Sequence, residues 1–144
     1  MSIEGAVSID HLALSDEPIL VKFYGKNGDP LVDSAGVECG YLVVSQDDPR
    51  CKSILDEMSA EITALSKTGK NLKTSARKEY ESRFLVSSVI GIQGKVILGG
   101  ELVVHTEESI KRVFKIAPII EKDVRYIMGA DELFTVGAQE PSKE

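Results

Sequence analysis

Two histidines, two cysteines and four pairs of adjacent carboxylates are the groups in this chain that could do acid–base, nucleophilic or metal chemistry, and their spacing suits none of these. His11 and His105 are the only imidazoles, and neither stands at ligand spacing from a cysteine or from the other histidine. A lone histidine is more often a solvated or capping residue than a catalyst. Cys39 and Cys51 are too few and too irregularly spaced for a disulfide framework or a zinc site, so both read as reduced, with Cys51 on the apolar face of a helix. The pairs Asp16-Glu17, Asp47-Asp48, Glu107-Glu108 and Asp131-Glu132 fall in loops or at helix starts, where capping and the helix dipole account for them without a carboxylate dyad. Glycines 91, 94, 99 and 100 resemble a phosphate cradle only in number. No Lys-Ser or Lys-Thr follows them into a helix, and they read as turn residues. Ser87-Ser88 lacks the flanking glycines of a nucleophile elbow. The expectation is a protein without catalytic, metal or cofactor-binding residues, which works through its surfaces and is not an enzyme.

The elements around these residues follow from pattern. Residues 1–17 read as a flexible amino-terminal arm, with Leu12-Ala13-Leu14 as a docking point. ILVKFY at 19–24 and YLVVS at 41–45 read as an antiparallel strand pair, joined through the Asn27-Gly28-Asp29-Pro30 turn. A further turn, or a third strand around Val37, fits between them. Asp48 with Pro49 gives the clearest helix start in the chain. Cys51, Ile54, Leu55, Met58, Ile62 and Leu65 then form an apolar stripe that ends before Gly69. A second helix is predicted from Thr74 or Ser75 to about Ile90, with Tyr80, Phe84, Leu85, Val89 and Ile92 on its apolar side. Residues 95–104 suit a small hairpin or an extended loop. Thr106 followed by two glutamates starts a third helix, with Ile110, Val113 and Phe114 inward. Pro118 starts a fourth, which buries Ile120, Val124, Ile127 and Met128 and stops at Gly129, and a last turn holds Leu133 and Phe134. Residues 136–144 read as a polar tail. The fold class is therefore α+β: a small amino-terminal antiparallel element of two or three strands packed with about four helices, as one domain over 18–135.

Composition bounds the rest. A chain of 144 residues, 42% hydrophobic and 28% charged, suits one core that needs no metal or disulfide staple. No apolar run approaches the ~18 residues of a membrane span, and MSIEGAVSID lacks the pattern of a cleavable signal, so neither export nor membrane insertion is expected. Residues 1–48 carry nine acids and two bases, or −7, whereas 49–144 carry fourteen acids and fifteen bases, or +1. The acidic third argues against nucleic acid as a partner. The basic stretch Lys67, Lys70, Lys73, Arg77, Lys78 and Arg83 is interleaved with glutamates and reads as a solvated helix face.

Several segments in sequence resemble a known family. These are 17–19 through Gly28-Asp29-Pro30-Leu31, then 45–49, then 84–92, then Thr106-Glu107-Glu108, and Ile116-Ala117-Pro118 through Phe134. Their order resembles that of the small tail assembly chaperones of long-tailed bacteriophages and covers most of the chain, with Ile92 where members often carry tryptophan. The resemblance implies a non-catalytic factor in the host cytoplasm that coats and solubilises the tape measure protein, helps recruit tail tube subunits and is absent from the finished virion. A homo-oligomer is compatible with such a role. The partner-facing residues expected are Ile54, Met58 and Ile62 on the first helix, with Phe114, Ile120, Val124, Ile127 and Phe134 toward the carboxy terminus. Two other readings are a virion tail-completion or connector subunit and a phage-encoded inhibitor of a host protein.

Overall fold

The computed structural model describes residues 4–139. Three strands, β1 (Ile19–Lys22), β2 (Gly40–Val43) and β3 (Val89–Gln93), form an antiparallel sheet in the order β1-β2-β3. The predicted first pair is present, with Ile19 opposite Val43 and Lys22 opposite Gly40. Between the two strands, Val32 bridges Glu38 across a turn whose organiser is Asp33. Its carboxylate accepts the N–H groups of Ala35 at 2.9 Å, Val37 at 3.0 Å and, from a distant loop, Lys95 at 3.0 Å. Those donors, Val37 first, hold the Asp33 carboxyl below its usual pKa.

The third strand corrects the sequence reading. The second helix, α2 (Thr74–Ser87), ends before the predicted position, and Val89 to Gln93 extend along β2 instead of adding a helical turn. Gly91 therefore lies inside a strand. The β-branched residues Val89, Ile90 and Ile92 favour the extended form, and Leu42 lies over Gly91, where a side chain would crowd it. The register shifts between Leu42 and Val43, which pair with Gly91 and Val89, so Ile90 is the extra residue of a bulge. After it, β4 (Ile97–Leu98) and β5 (Glu101–Leu102) make the small hairpin. Gly99 and Gly100 both adopt positive φ, at 60° and 81°, as the mirror-image turns of two-residue hairpins require.

Helix starts fall where the sequence put them. In α1 (Pro49–Ser66) the Asp48 carboxylate accepts the Arg50 N–H at 2.9 Å, and in α3 (Glu107–Ile116) the Thr106 hydroxyl accepts that of Ser109 at 3.1 Å. Pro118 opens α4 (Pro118–Met128). Helices α1 and α2 pack on each other as a hairpin. The Arg83 guanidinium clasps the Glu57 carboxylate with two bonds of 3.0 and 2.8 Å, and the Tyr80 hydroxyl donates to Glu61. Only Cys51, at the root of α1, is fully buried in the body of the protein. Helix α4 packs on β1 and β2, and α3 bridges α4 and α2.

The core between sheet and helices is built on Val21, Tyr41, Val43, Ile110, Val113 and Val124. Phe23 and Phe114 meet the ring of Tyr41 edge-on, at centroid distances of 5.2 and 6.2 Å. The Tyr41 hydroxyl is buried with no hydrogen-bond partner among the described residues, and burial pushes its pKa from 10.0 up to about 12. A raised pKa means that the unfolded chain ionises first. The stability this group contributes is intact below pH ~10 and is lost as pH climbs toward 12, by up to roughly 3 kcal/mol. Tyr41→Phe should hold or raise stability by about 1 kcal/mol at pH 7 and flatten that alkaline loss. Urea unfolding across pH 7–11 checks it, and a clear loss at pH 7 would show that the hydroxyl is bonded after all.

Both ends of the described chain meet on one side. The arm forms a single 3₁₀ turn (Asp10–Leu12), and Leu14 bridges Thr135. The Ser15 N–H donates to the Phe134 carbonyl at 2.6 Å and that of Val136 to the Ala13 carbonyl at 2.9 Å. After the 3₁₀ turn Asp131–Phe134, the first residues of the expected tail form a short helix, α5 (Val136–Gln139). The rest of that tail, 140–144, lies outside the described residues.

Candidate functional site

The two histidines and two cysteines sit at separate places, with Cys51 beside Ser87 and Asp48. The main chain of His11 lies against Gly137, and His105 Nε2 lies 2.9 Å from the Val89 carbonyl, tying the approach to α3 to the sheet. Cys39 and Cys51 are free and buried, and burial pushes both thiols up, away from the thiolate that reactive cysteines need. The Ser87 and Ser88 hydroxyls donate back to the carbonyls of Phe84 and Leu85, each at 2.6 Å. Among the described residues no group of three or more His, Cys, Asp or Glu is placed to hold a metal ion, and no helix is long and apolar enough to cross a membrane.

The eight residues expected to face a partner divide into three sets. Phe114, Val124 and Phe134 belong to the core and present almost no surface, so they serve a partner only through the shape they hold in place. Ile54, Met58 and Ile62 lie half-buried or exposed along the α1–α2 hairpin. Ile120 and Ile127 are half-buried on α4. The first set marks a limit of stripe reading: helical periodicity shows which face is covered and not what covers it.

An apolar cleft of about 360 Å³ lies at the start of α4. Its floor is Phe23, Val103 and Val113. One wall is β4, with Ile97 and Leu98, and the facing wall is Ala117, Ile119 and Ile120. Tyr24 and Leu31 close one end. The β4–β5 wall is held in place from α3. Arg112 donates to the Leu98 carbonyl at 2.7 Å and reaches the Glu101 carboxylate at 3.6 Å, and the Val103 N–H donates to the Val96 carbonyl at 2.8 Å. Large apolar side chains line the mouth, with Ile97 70% and Ile119 67% exposed. Among the described residues Lys22 and Asp123 are its only charged lining, and Lys22 is paired with Glu38 at 3.1 Å. Apolar walls with few polar groups suit burial of another apolar surface and offer no convergent donors for a reaction.

Of the cleft residues, only Ile120 is among the eight. Ile119 is the one the sequence could have offered: it directly precedes Ile120 but falls off the 120/124/127 stripe, so an apolar residue there has no place in the core. Compared with protein-family models, with curated proteins and with solved structures, the chain shows no match. The cleft and the sequence resemblance are what bear on function.

Proposed function

We propose that this protein is a non-catalytic binding protein whose cleft at the start of α4 takes an apolar segment of a partner, and that it is a tail assembly chaperone of a long-tailed bacteriophage. Its partner in that role is the tape measure protein, kept soluble in the host cytoplasm while tail tube subunits are recruited. The observation that carries the reading is the cleft, apolar on both walls and open at Ile97 and Ile119. Two segments that support the family resemblance also build it: 28–31 supplies Leu31, and 116–120 supplies Ala117, Ile119 and Ile120. An amphipathic helix laid in such a groove would bury its anchors against these residues.

Co-expression with a candidate tape measure protein is the test. The unaltered chain should bring the tape measure into the soluble fraction. Ile119→Asp, at a position too exposed to hold the fold, should abolish that effect and weaken binding roughly 30-fold or more, as loss of a central anchor does. A tape measure protein equally insoluble with and without this chain would sink the proposal. Recovery of the chain at stoichiometric levels from purified virions would replace it with the tail-completion or connector reading.

A further inference from the structure

A second, smaller groove of about 210 Å³ adjoins the cleft and has a different construction. One side is the edge strand β1, with Leu20 and Lys22, and the other is α4, with Asp123, Tyr126 and Ile127. Among the described residues β1 pairs within the sheet only with β2. The Phe23 N–H donates to the Cys39 carbonyl at 2.9 Å, so Val21 and Ile19, in step with Phe23, turn their main-chain groups toward β2. The intervening Leu20 and Lys22 turn theirs outward, along the groove. An open strand edge beside a helix accepts an extended chain, whose backbone continues the sheet while alternate side chains enter the groove.

The same protein carries a segment of that description. Before the 3₁₀ turn, Val7 and Ile9 are 88% and 68% exposed, and at period two they share one side of an extended chain. Residues 4–9 carry a single charge, Glu4, and the groove sets Lys22 beside Asp123, so the match rests on the apolar pair and the strand edge. In the single chain the arm is exposed and does not line its own groove.

We propose that two copies exchange arms: residues 4–9 of each add a fourth strand to β1 of the other, with Val7 and Ile9 packed on Tyr126 and Ile127. A reciprocal exchange closes into a two-fold dimer. This does not depend on the tape measure reading, which uses the neighbouring cleft and stands or falls by co-expression.

Sedimentation equilibrium of the full chain should give twice the 15.7 kDa chain mass. The double variant Val7→Asp, Ile9→Asp should sediment as a folded monomer, its dimer dissociation constant raised by at least about 100-fold. Tyr126→Asp, at a 69% exposed position, should do the same from the groove side. An equimolar mixture of the two variants should then recover a dimer, since one intact arm meets one intact groove. Amide exchange at Leu20 and Lys22 should be slower in the unaltered chain than in either variant. The proposal is overturned by a monomeric unaltered chain, including one that protects Leu20 and Lys22 with its own arm, and equally by a double variant that stays dimeric.

Discussion

Gly40→Ala is expected to detach β1 from β2 and to lower stability by on the order of 3 kcal/mol, the upper end of what overpacking costs. A β-carbon on Gly40 would stand 2.3 Å from the Val21 carbonyl oxygen and 2.9 Å from the Leu20 side chain. The side chain can turn aside. The carbonyl belongs to the neighbouring strand and moves only if the pairing does. Because Phe23 continues from β1 into the cleft floor, and Leu20 and Lys22 line the second groove, both sites should lose their shape together. Against a total stability of roughly 5–15 kcal/mol the change is large, and urea unfolding followed by circular dichroism will register it. Gly91→Ala is the internal control. Its β-carbon would meet only the end of the Leu42 side chain, at 3.2 Å, and the cost should stay below about 1 kcal/mol. Equal stabilities of the two variants would mean that β1 is not held in this register.

Phe134→Ala should cost about 3–5 kcal/mol, because its ring is fully buried and its removal leaves a cavity in place of those contacts. For a chain of this size that corresponds to a fall in Tm of roughly 10 °C, measurable by calorimetry. The same residue accepts the Ser15 N–H, so loosening of the arm's attachment should accompany the loss. The sequence placed Phe134 on a partner surface, and the two roles give different results. At a temperature where the variant is still folded, a core residue leaves partner affinity near that of the unaltered protein, while a contact residue does not. Ile119→Asp should behave in the opposite way, with stability kept and binding lost.

What the sequence made legible is what is encoded locally. Asp48 before Pro49, Thr106 before two glutamates, and Pro118 after Ala117 each fix a helix start within one turn, and all three starts are where they were expected. The end of α2 was not legible. Tyr80, Phe84, Leu85, Val89 and Ile92 continue a helical stripe on paper, and only pairing with β2, nearly fifty positions earlier, makes the last of them a strand. The cleft was hidden for the same reason: its walls come from 22–31, 96–103 and 113–123, and no one segment carries its signature. Phe114 and Val124 are expected on the sequence both inward and against a partner, because a stripe on a helix is identical whether its own fold or another molecule covers it.

The α1–α2 hairpin has one consequence for motion. α1 spans ~27 Å at 1.5 Å per residue, yet its only fully buried side chain is Cys51, in the first turn. Beyond that root it leans chiefly on α2, through half-covered apolar residues and the Arg83 and Tyr80 bonds to Glu57 and Glu61. Opening the far end, around Gly69, exposes little that was dry and breaks none of the sheet. The hairpin should therefore open from its tip as a unit of low local stability while the body remains intact. A limb of that kind can refit its apolar stripe to partners of differing shape, a freedom that the walls of the cleft, tied down by Arg112, do not have.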